Sequence, residues 1–177
     1  GGNLQDYAKM AEKDEGLKVN REITDILGTF FKLPVPKLAL VTGDCFGGGI
    51  ELISCCQWIY STPEALFGLW QRRLGLSFGW GGYDRLLSKV SSACIKSWVL
   101  EGDTKTAQWC RDKGLIDRIV IDHKLDDVVA KWVSQQSRLY QKSFQEIYEN
   151  IDLNAAKTFE SLWWSEYHKQ QLAKYFK

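Results

Sequence analysis

The sequence predicts an α/β fold built around a mainly parallel sheet, and three observations carry that prediction. The segment LPVPKLALVTGD ends a helical stretch at Pro34 and Pro36, then continues as the unbroken apolar run Leu38 to Val41, the pattern of a buried strand. Three glycines, Gly47, Gly48 and Gly49, stand directly before the short apolar stretch Ile50 to Cys56, with Glu51 in its first turn. The device then repeats, because Gly79, Gly81 and Gly82 precede a segment carrying Leu86 and Leu87. Strand, glycine turn, helix and strand in succession describe an α/β unit.

Each element follows in order. From Leu4 to Lys32 the chain reads as helix, in two pieces broken near Gly16, with Ile23, Ile26, Leu27, Phe30 and Phe31 recurring at three and four to form an apolar face. The strand at Leu38 closes in a turn at Gly43 and Asp44, and Ile50 to Cys56 is a short buried helix. QWIYSTPEALFG gives a second short strand, a turn at Pro63 and a third strand near Phe67. SSACIKSWVLEG and TKTAQWCRDKG are two helices, closed by Gly102 and Gly114 at C-cap-like positions. LIDRIVI is a short apolar segment. From Leu125 onward the chain reads as helices free of Pro and Gly, carrying Trp132, Tyr140, Phe144, Tyr148, Phe159, Trp163 and Trp164. That aromatic content calls for packing on the domain or on a neighbouring subunit.

Composition narrows the function classes. A chain of 177 residues with 45% hydrophobic and 25% charged residues has the balance of a globular domain. Lys plus Arg is 23 against 22 for Asp plus Glu, so no global charge points to nucleic acid or membrane partners. No apolar run is long enough to span a membrane, and no secretory leader opens the chain. The cysteines, Cys45, Cys55, Cys56, Cys94 and Cys110, are odd in number and form no CxxC. Reduced thiols in a cytoplasmic or organelle-matrix protein are expected. His123 and His168 lie far apart, so no metal site is expected and a Ser-His-Asp triad has little material. The opening GGNLQDYAKM is read as a tag scar at Gly1 and Gly2, or as the point where a longer chain was cut or becomes ordered.

The glycine turn carries the chemistry. Backbone N–H groups at the start of a helix are unpaired and attract negative charge. The spacing G-x-x-x-G-G-G from Gly43 fits neither G-x-G-x-x-G nor G-x-x-x-x-G-K-[ST], and no lysine is placed for a phosphate. An oxyanion hole fits better, with Glu51 one turn beyond Gly48. A structural role stands beside it on equal terms, because the helix dipole favours Glu in a first turn and glycines permit close packing.

The segment KLPVPKLALVTGDCFGGGIELISCCQWIYSTPEALFGLWQRRLGLSFGWGGYDRLL resembles the core of the crotonase family, the enoyl-CoA hydratase/isomerase superfamily. The matching features are G-G-G-x-E-L after an apolar strand, S-x-x-A-x-F-G, L-G-L and G-x-G-G-x-x-R-L. VLEGDTKTAQWCRDKGLIDRIV and GGNLQDYAKM resemble the family's following and first oxyanion segments, so the similarity runs from Gly1 to about Val120. The resemblance implies a spiral of ββα turns over residues 1–122, here lacking its N-terminal part, and a helical trimerisation region over 123–177. It implies an acyl-CoA thioester substrate, with coenzyme A arriving as part of it and no separate cofactor, and a homo-oligomer, trimer or hexamer. Gly48 and Gly2 would donate the two N–H groups of the oxyanion hole. Gly47, Gly49, Trp70, Trp80 and Gly81 would line the substrate site, with core packing an equal reading for each tryptophan.

Two departures refine the expectation. The family's N-terminal strands, with much of its adenine-nucleotide site, are not in this sequence, so the upstream part is a separate piece or the fold is trimmed. Hydratases use two glutamates; Glu51 matches the first, but Gln71 stands where the second should be, and an amide cannot take a proton. GGGIE, RLGLSFGWGG and the LPVPKLALVTG lead-in look nearest to the ethylmalonyl-CoA/methylmalonyl-CoA decarboxylase branch. The expected function is therefore enolate chemistry on an acyl-CoA thioester with one carboxylate, decarboxylation first. A true hydratase/isomerase is the alternative within the family, and a non-catalytic acyl-CoA-binding scaffold the alternative from another class. Arg72 and Arg73 are candidates to attract a malonyl carboxylate, though an ordinary ion-paired dibasic step is the commoner fate of such a pair. Lys169, Lys174 and Lys177 could likewise meet the CoA phosphates of a neighbour or simply cap solvated helices.

Overall fold

A computed structural model describes residues 4–10, 12–139, 141–163 and 165–175. The chain divides into two units, Gly1–Leu33 with Lys37–Asp126 and Pro34–Pro36 with Asp127–Lys177. The first is mixed α/β. Helices α1 (Leu4–Tyr7) and α2 (Lys13–Lys32) lead into strands β1 (Leu38–Val41) and β2 (Cys45–Phe46), then helix α3 (Gly48–Ile53). Strands β3 (Trp58–Ser61) and β4 (Leu66–Gly68) come next, then a short 3-10 helix over Trp70–Leu74 and helix α4 (Gly82–Leu86). Helix α5 (Ser92–Glu101), strand β5 (Thr104–Thr106), helix α6 (Ala107–Asp112) and strand β6 (Arg118–Ile119) complete the unit.

The strands form two small sheets. In one, β1, β3 and β6 lie in that order, all parallel, with Leu38 opposite Trp58 and Tyr60 opposite Arg118. In the other, β2 is parallel to β4, with Cys45 opposite Phe67, and β5 is antiparallel to β4, with Leu66 opposite Thr106. Strands β1 to β4 alternate between the two sheets, each pair followed by a helix, which is the two-strand-plus-helix winding of a spiral, and β5 returns to the sheet of β4. The sequence reading expected a single mainly parallel sheet. The second sheet escaped it because β2 is two residues pressed against the glycine turn and β5 is the polar stretch Thr-Lys-Thr, a strand only through its pairing with β4.

Between sheets and helices lies a core containing Ile50, Ile59, Phe67, Leu69, Leu86, Ile95, Trp98, Cys110 and Leu115. Helix starts are fixed by side chains where the turn supplies them. Ser91 Oγ accepts from Cys94 N–H at the head of α5, and Thr106 Oγ1 from Trp109 N–H at the head of α6. Asp117 ties the parallel sheet to its flank: its Oδ2 accepts from Ile59 N–H at 2.7 Å and lies 3.7 Å from Lys89 Nζ. Two expectations for the first helical stretch are corrected. Helix α2 runs through Gly16, the break falling before Lys13. Of its apolar face Leu27 is buried, whereas Ile26 is 65% exposed, because the α2 stripe turned inward is narrower than the spacing allows.

The second unit is helical: α7 (Leu125–Arg138), most of which belongs to it, α8 (Gln141–Leu162) and α9 (Glu166–Tyr175). Phe159 and Trp163 stack with centroids 5.3 Å apart, and Trp163 meets the His168 ring at 4.6 Å. Tyr140, Trp164 and Lys177 lie outside the described residues. Lys169 pairs with Glu166 and Lys174 with Gln171, each within a helix turn.

Candidate active site

The glycine turn is built as the sequence suggested. Gly47 occupies φ 51°, ψ −114°, a conformation open to glycine and strained for other residues. Its N–H is pinned to Gly68 C=O at 2.8 Å, and its C=O accepts from Ile50 and Glu51. The chain thus enters α3 abruptly, and the Gly48 N–H makes no hydrogen bond among the described residues. Gly49 follows in the first turn of α3. Gly2, the other expected donor, lies outside the described residues.

Glu51 is buried, 2% exposed, and its carboxylate is surrounded by donors. Oε2 accepts from Trp80 N–H and Gly82 N–H, both at 2.9 Å. Oε1 accepts from Gly79 N–H and from Gln71 Nε2, both at 3.3 Å. One oxygen is therefore tightly held and the other loosely, since 3.3 Å lies beyond the usual N–H···O range. The glycines of the second turn permit this enclosure. Gly81 adopts a left-handed conformation (φ 74°) as the N-cap of α4, and a Cβ at Gly82 would overlap Glu51 Cγ. Gln71 is buried, and its Oε1 has no partner. Glu51 and Gln71, twenty residues apart in sequence, thus meet as a carboxylate and a carboxamide.

Three residues not among the expected site residues hold the Gly79–Gly82 loop. Arg85 Nη2 donates to Trp80 C=O at 2.7 Å and to Glu51 C=O at 3.1 Å, while Nε donates to Ser54 Oγ at 3.0 Å. One guanidinium so joins the loop to α3. Asn20 Oδ1 accepts from Trp80 Nε1 at 2.7 Å, and Thr24 Oγ1 donates to Gly79 C=O at 3.0 Å. Tyr7 donates to the same Asn20 oxygen, and burial pushes its phenol above the usual value. Gly16, Asn20 and Thr24 recur every four residues, a polar line down α2 that was the available signal.

The two tryptophans occupy different places. Trp80 lays its indole on Gly48 so closely that a Cβ there would overlap the ring. Trp70 stacks on Phe46 with centroids 3.8 Å apart and lies against Gly68, its Nε1 buried without a partner. Arg73 sits 4.3 Å over the Trp70 ring and donates to Gly102 C=O; Arg72 donates to Leu100 C=O. Both arginines are thereby committed to the C-terminal end of α5, so the dibasic step is structural. Among the described residues no group of three or more His, Cys, Asp or Glu is placed to hold a metal, and no helix is long and apolar enough to cross a membrane.

Comparison with known proteins places this geometry. Over 114 residues the chain is 32% identical to the 2,3-dehydroadipyl-CoA hydratase of Escherichia coli (strain K12), a match covering 64% of this chain and 45% of that protein. It is 29% identical over 121 residues to the ethylmalonyl-CoA decarboxylase of Danio rerio, covering 68% of this chain and 40% of that protein. The chain spans less than half the length of these relatives. Among solved structures, the enoyl-CoA hydratase of Bacillus anthracis superposes with a TM-score of 0.86 at 19% identity, over 99% of this chain and 72% of that one. A putative enoyl-CoA hydratase/isomerase family protein of Hyphomonas neptunium reaches 0.87 at 21% identity, over 99% and 71%. These likenesses establish the crotonase-type fold. The family description enoyl-CoA hydratase/isomerase matches residues 1–174, and the chain belongs to that family.

Proposed function

We propose that this protein acts on an acyl-CoA thioester through an enolate, by a reaction that uses one carboxylate, decarboxylation of a malonyl-type thioester in the first place. The observation that carries the reading is the meeting of Glu51 with Gln71 rather than with a second carboxylate. Adding water to a double bond needs one group to take a proton from water and another to give one to carbon. Gln71 can do neither. Loss of CO₂ asks less. The C–C bond to the carboxylate breaks, its electron pair passes into the thioester as an enolate, CO₂ leaves, and one proton returns to the α-carbon. The Gly48 N–H, with Gly2 as the second donor, would hold the enolate oxygen. Losing one oxyanion-hole donor costs about 2.7–4 kcal/mol in other enzymes. Glu51, in its protonated form, would give its proton to the α-carbon from Oε1, the loosely held oxygen, and would be reprotonated from solvent. Gly47 and Gly49 shape the turn, and Trp70, Trp80 and Gly81 border the substrate. The working form is a homo-oligomer, trimer or hexamer.

The test is a pair of assays on the full-length protein, crotonyl-CoA hydration and ethylmalonyl-CoA decarboxylation. Decarboxylation is expected and hydration should be slow or absent. Glu51→Gln should slow the proton step about 10²–10⁴-fold, and Gln71→Glu should raise hydration. Rapid hydration by the wild type would defeat the one-carboxylate reading in favour of a hydratase/isomerase. Tight thioester binding with no turnover would move the protein to a binding scaffold.

A further inference from the structure

Trp80 is held at three points. Its backbone N–H is bonded to Glu51 Oε2, its C=O to Arg85 Nη2, and its indole Nε1–H to Asn20 Oδ1 at 2.7 Å. Between these anchors the six-membered part of the indole lies on Gly48, in contact with its Cα face. Asn20 is itself fixed, since its Nδ2 donates to Gly16 C=O at 2.7 Å and its Oδ1 also accepts from Tyr7. A tryptophan held by backbone alone could turn about its side-chain bonds. Turning here breaks a short indole hydrogen bond in a half-buried setting. The ring is therefore a fixed wall one atomic layer from the expected oxyanion donor.

We infer that Trp80 limits the length of the acyl group this site accepts, and that Asn20 is the positioning residue that keeps the wall in place. The inference rests on the acyl-CoA reading above and deepens it by naming the substrate class: short acyl or short branched malonyl-type thioesters. A thioester oxygen placed at Gly48 N–H puts the first acyl carbons beside the indole. A chain that must continue past it meets ring carbons instead of open space. Filled apolar walls discriminate by size with modest but measurable ratios, about 10–200-fold for a methylene-scale difference.

The experiment is equilibrium binding by calorimetry of free CoA, butyryl-CoA and octanoyl-CoA to the full-length protein, each thioester affinity taken relative to free CoA. The wild type should bind butyryl-CoA at least about 10-fold more tightly than octanoyl-CoA. Trp80→Ala should remove that preference. Should circular dichroism show that variant unfolded, Trp80→Leu replaces it, with the same change in direction. Asn20→Leu removes the acceptor at similar volume. It should relax the preference partway, whereas a merely structural asparagine would lower the melting temperature and leave the ratio unmoved. An unchanged ratio in a folded Trp80 variant that still binds CoA, or a wild type that prefers octanoyl-CoA, overturns the inference alone. Failure of CoA and both thioesters to bind the wild type overturns the acyl-CoA reading and this inference with it.

Discussion

At the scale of single residues, Gly82 is fixed by what stands against it. A methyl at Gly82 would overlap Glu51 Cγ and approach its Cβ and Oε2 to 2.9 Å. Glu51 cannot easily retreat, because its Oε2 is held by the Trp80 and Gly82 N–H groups and its own Cα lies in α3. Gly82→Ala should therefore destabilise the fold by about 1–3 kcal/mol, the usual cost of overpacking, read as a lower melting temperature. A variant as stable as the wild type would show that the carboxylate has room. The thiols give a second prediction. Burial pushes Cys45 up to about 12 and raises Cys55, Cys56 and Cys110 as well, while Cys94 is only half-buried. A thiolate is the reactive form, so raised and covered thiols react slowly. Native protein near pH 8 should label first at Cys94, the other four following only in denaturant. Equal rates at all five would contradict this burial. At the residue level Glu51, in the first turn after three glycines, was legible by spacing, and Gln71, twenty residues on, only through the family resemblance. The donors around Glu51 were not, since Gly79, Trp80 and Gly82 offer backbone N–H groups that carry no mark in a sequence.

At the scale of elements, the site is a junction of α2, α3 and α4, and Arg85 is its fastener. Its guanidinium satisfies Ser54 Oγ, Glu51 C=O and Trp80 C=O together. Arg85→Met keeps most of the volume and removes all three donors. Hydrogen bonds to a charged group contribute about 1.5–3 kcal/mol each when buried and less when partly exposed, and they share one side chain. A total loss of about 2–4 kcal/mol is expected, with weakened thioester binding as the Trp80 loop loosens. Arg85→Lys should recover only part of it, because one ammonium cannot span three acceptors on two elements. Full recovery by lysine would show that charge, not the fork, matters. Elements with their own pattern were legible, as β1 and β3 were from apolar runs and α5 from its closing glycine. Elements defined by partners were not: β2 and β5 exist because β4 pairs with both, and Asn20 reaches Trp80 across sixty residues of chain.

At the scale of the molecule, the helical unit raises the question of assembly. On α7 and α8 Val133 is 51% exposed, Ile147 43% and Phe159 61%, and Trp163, just beyond α8, is 53% exposed. Single exposed apolar residues are ordinary, but several large ones on successive helices, two of them aromatic, have the makeup of an interface core. The expected occupant is another copy of this chain, in keeping with the trimer or hexamer proposed above. Phe159 is the position to test, because its side chain is largely exposed and its substitution costs the isolated chain little. Phe159→Asp places a charge where a neighbour's apolar surface would have to cover it, and a buried unpaired charge is strongly unfavourable. Light scattering on the wild type should give a mass three or six times that of one chain. The Asp variant should fall towards the single-chain mass with its circular dichroism unchanged. A wild type that is monomeric across the measurable concentration range, or a variant that keeps the full mass, would rule out self-association through this face.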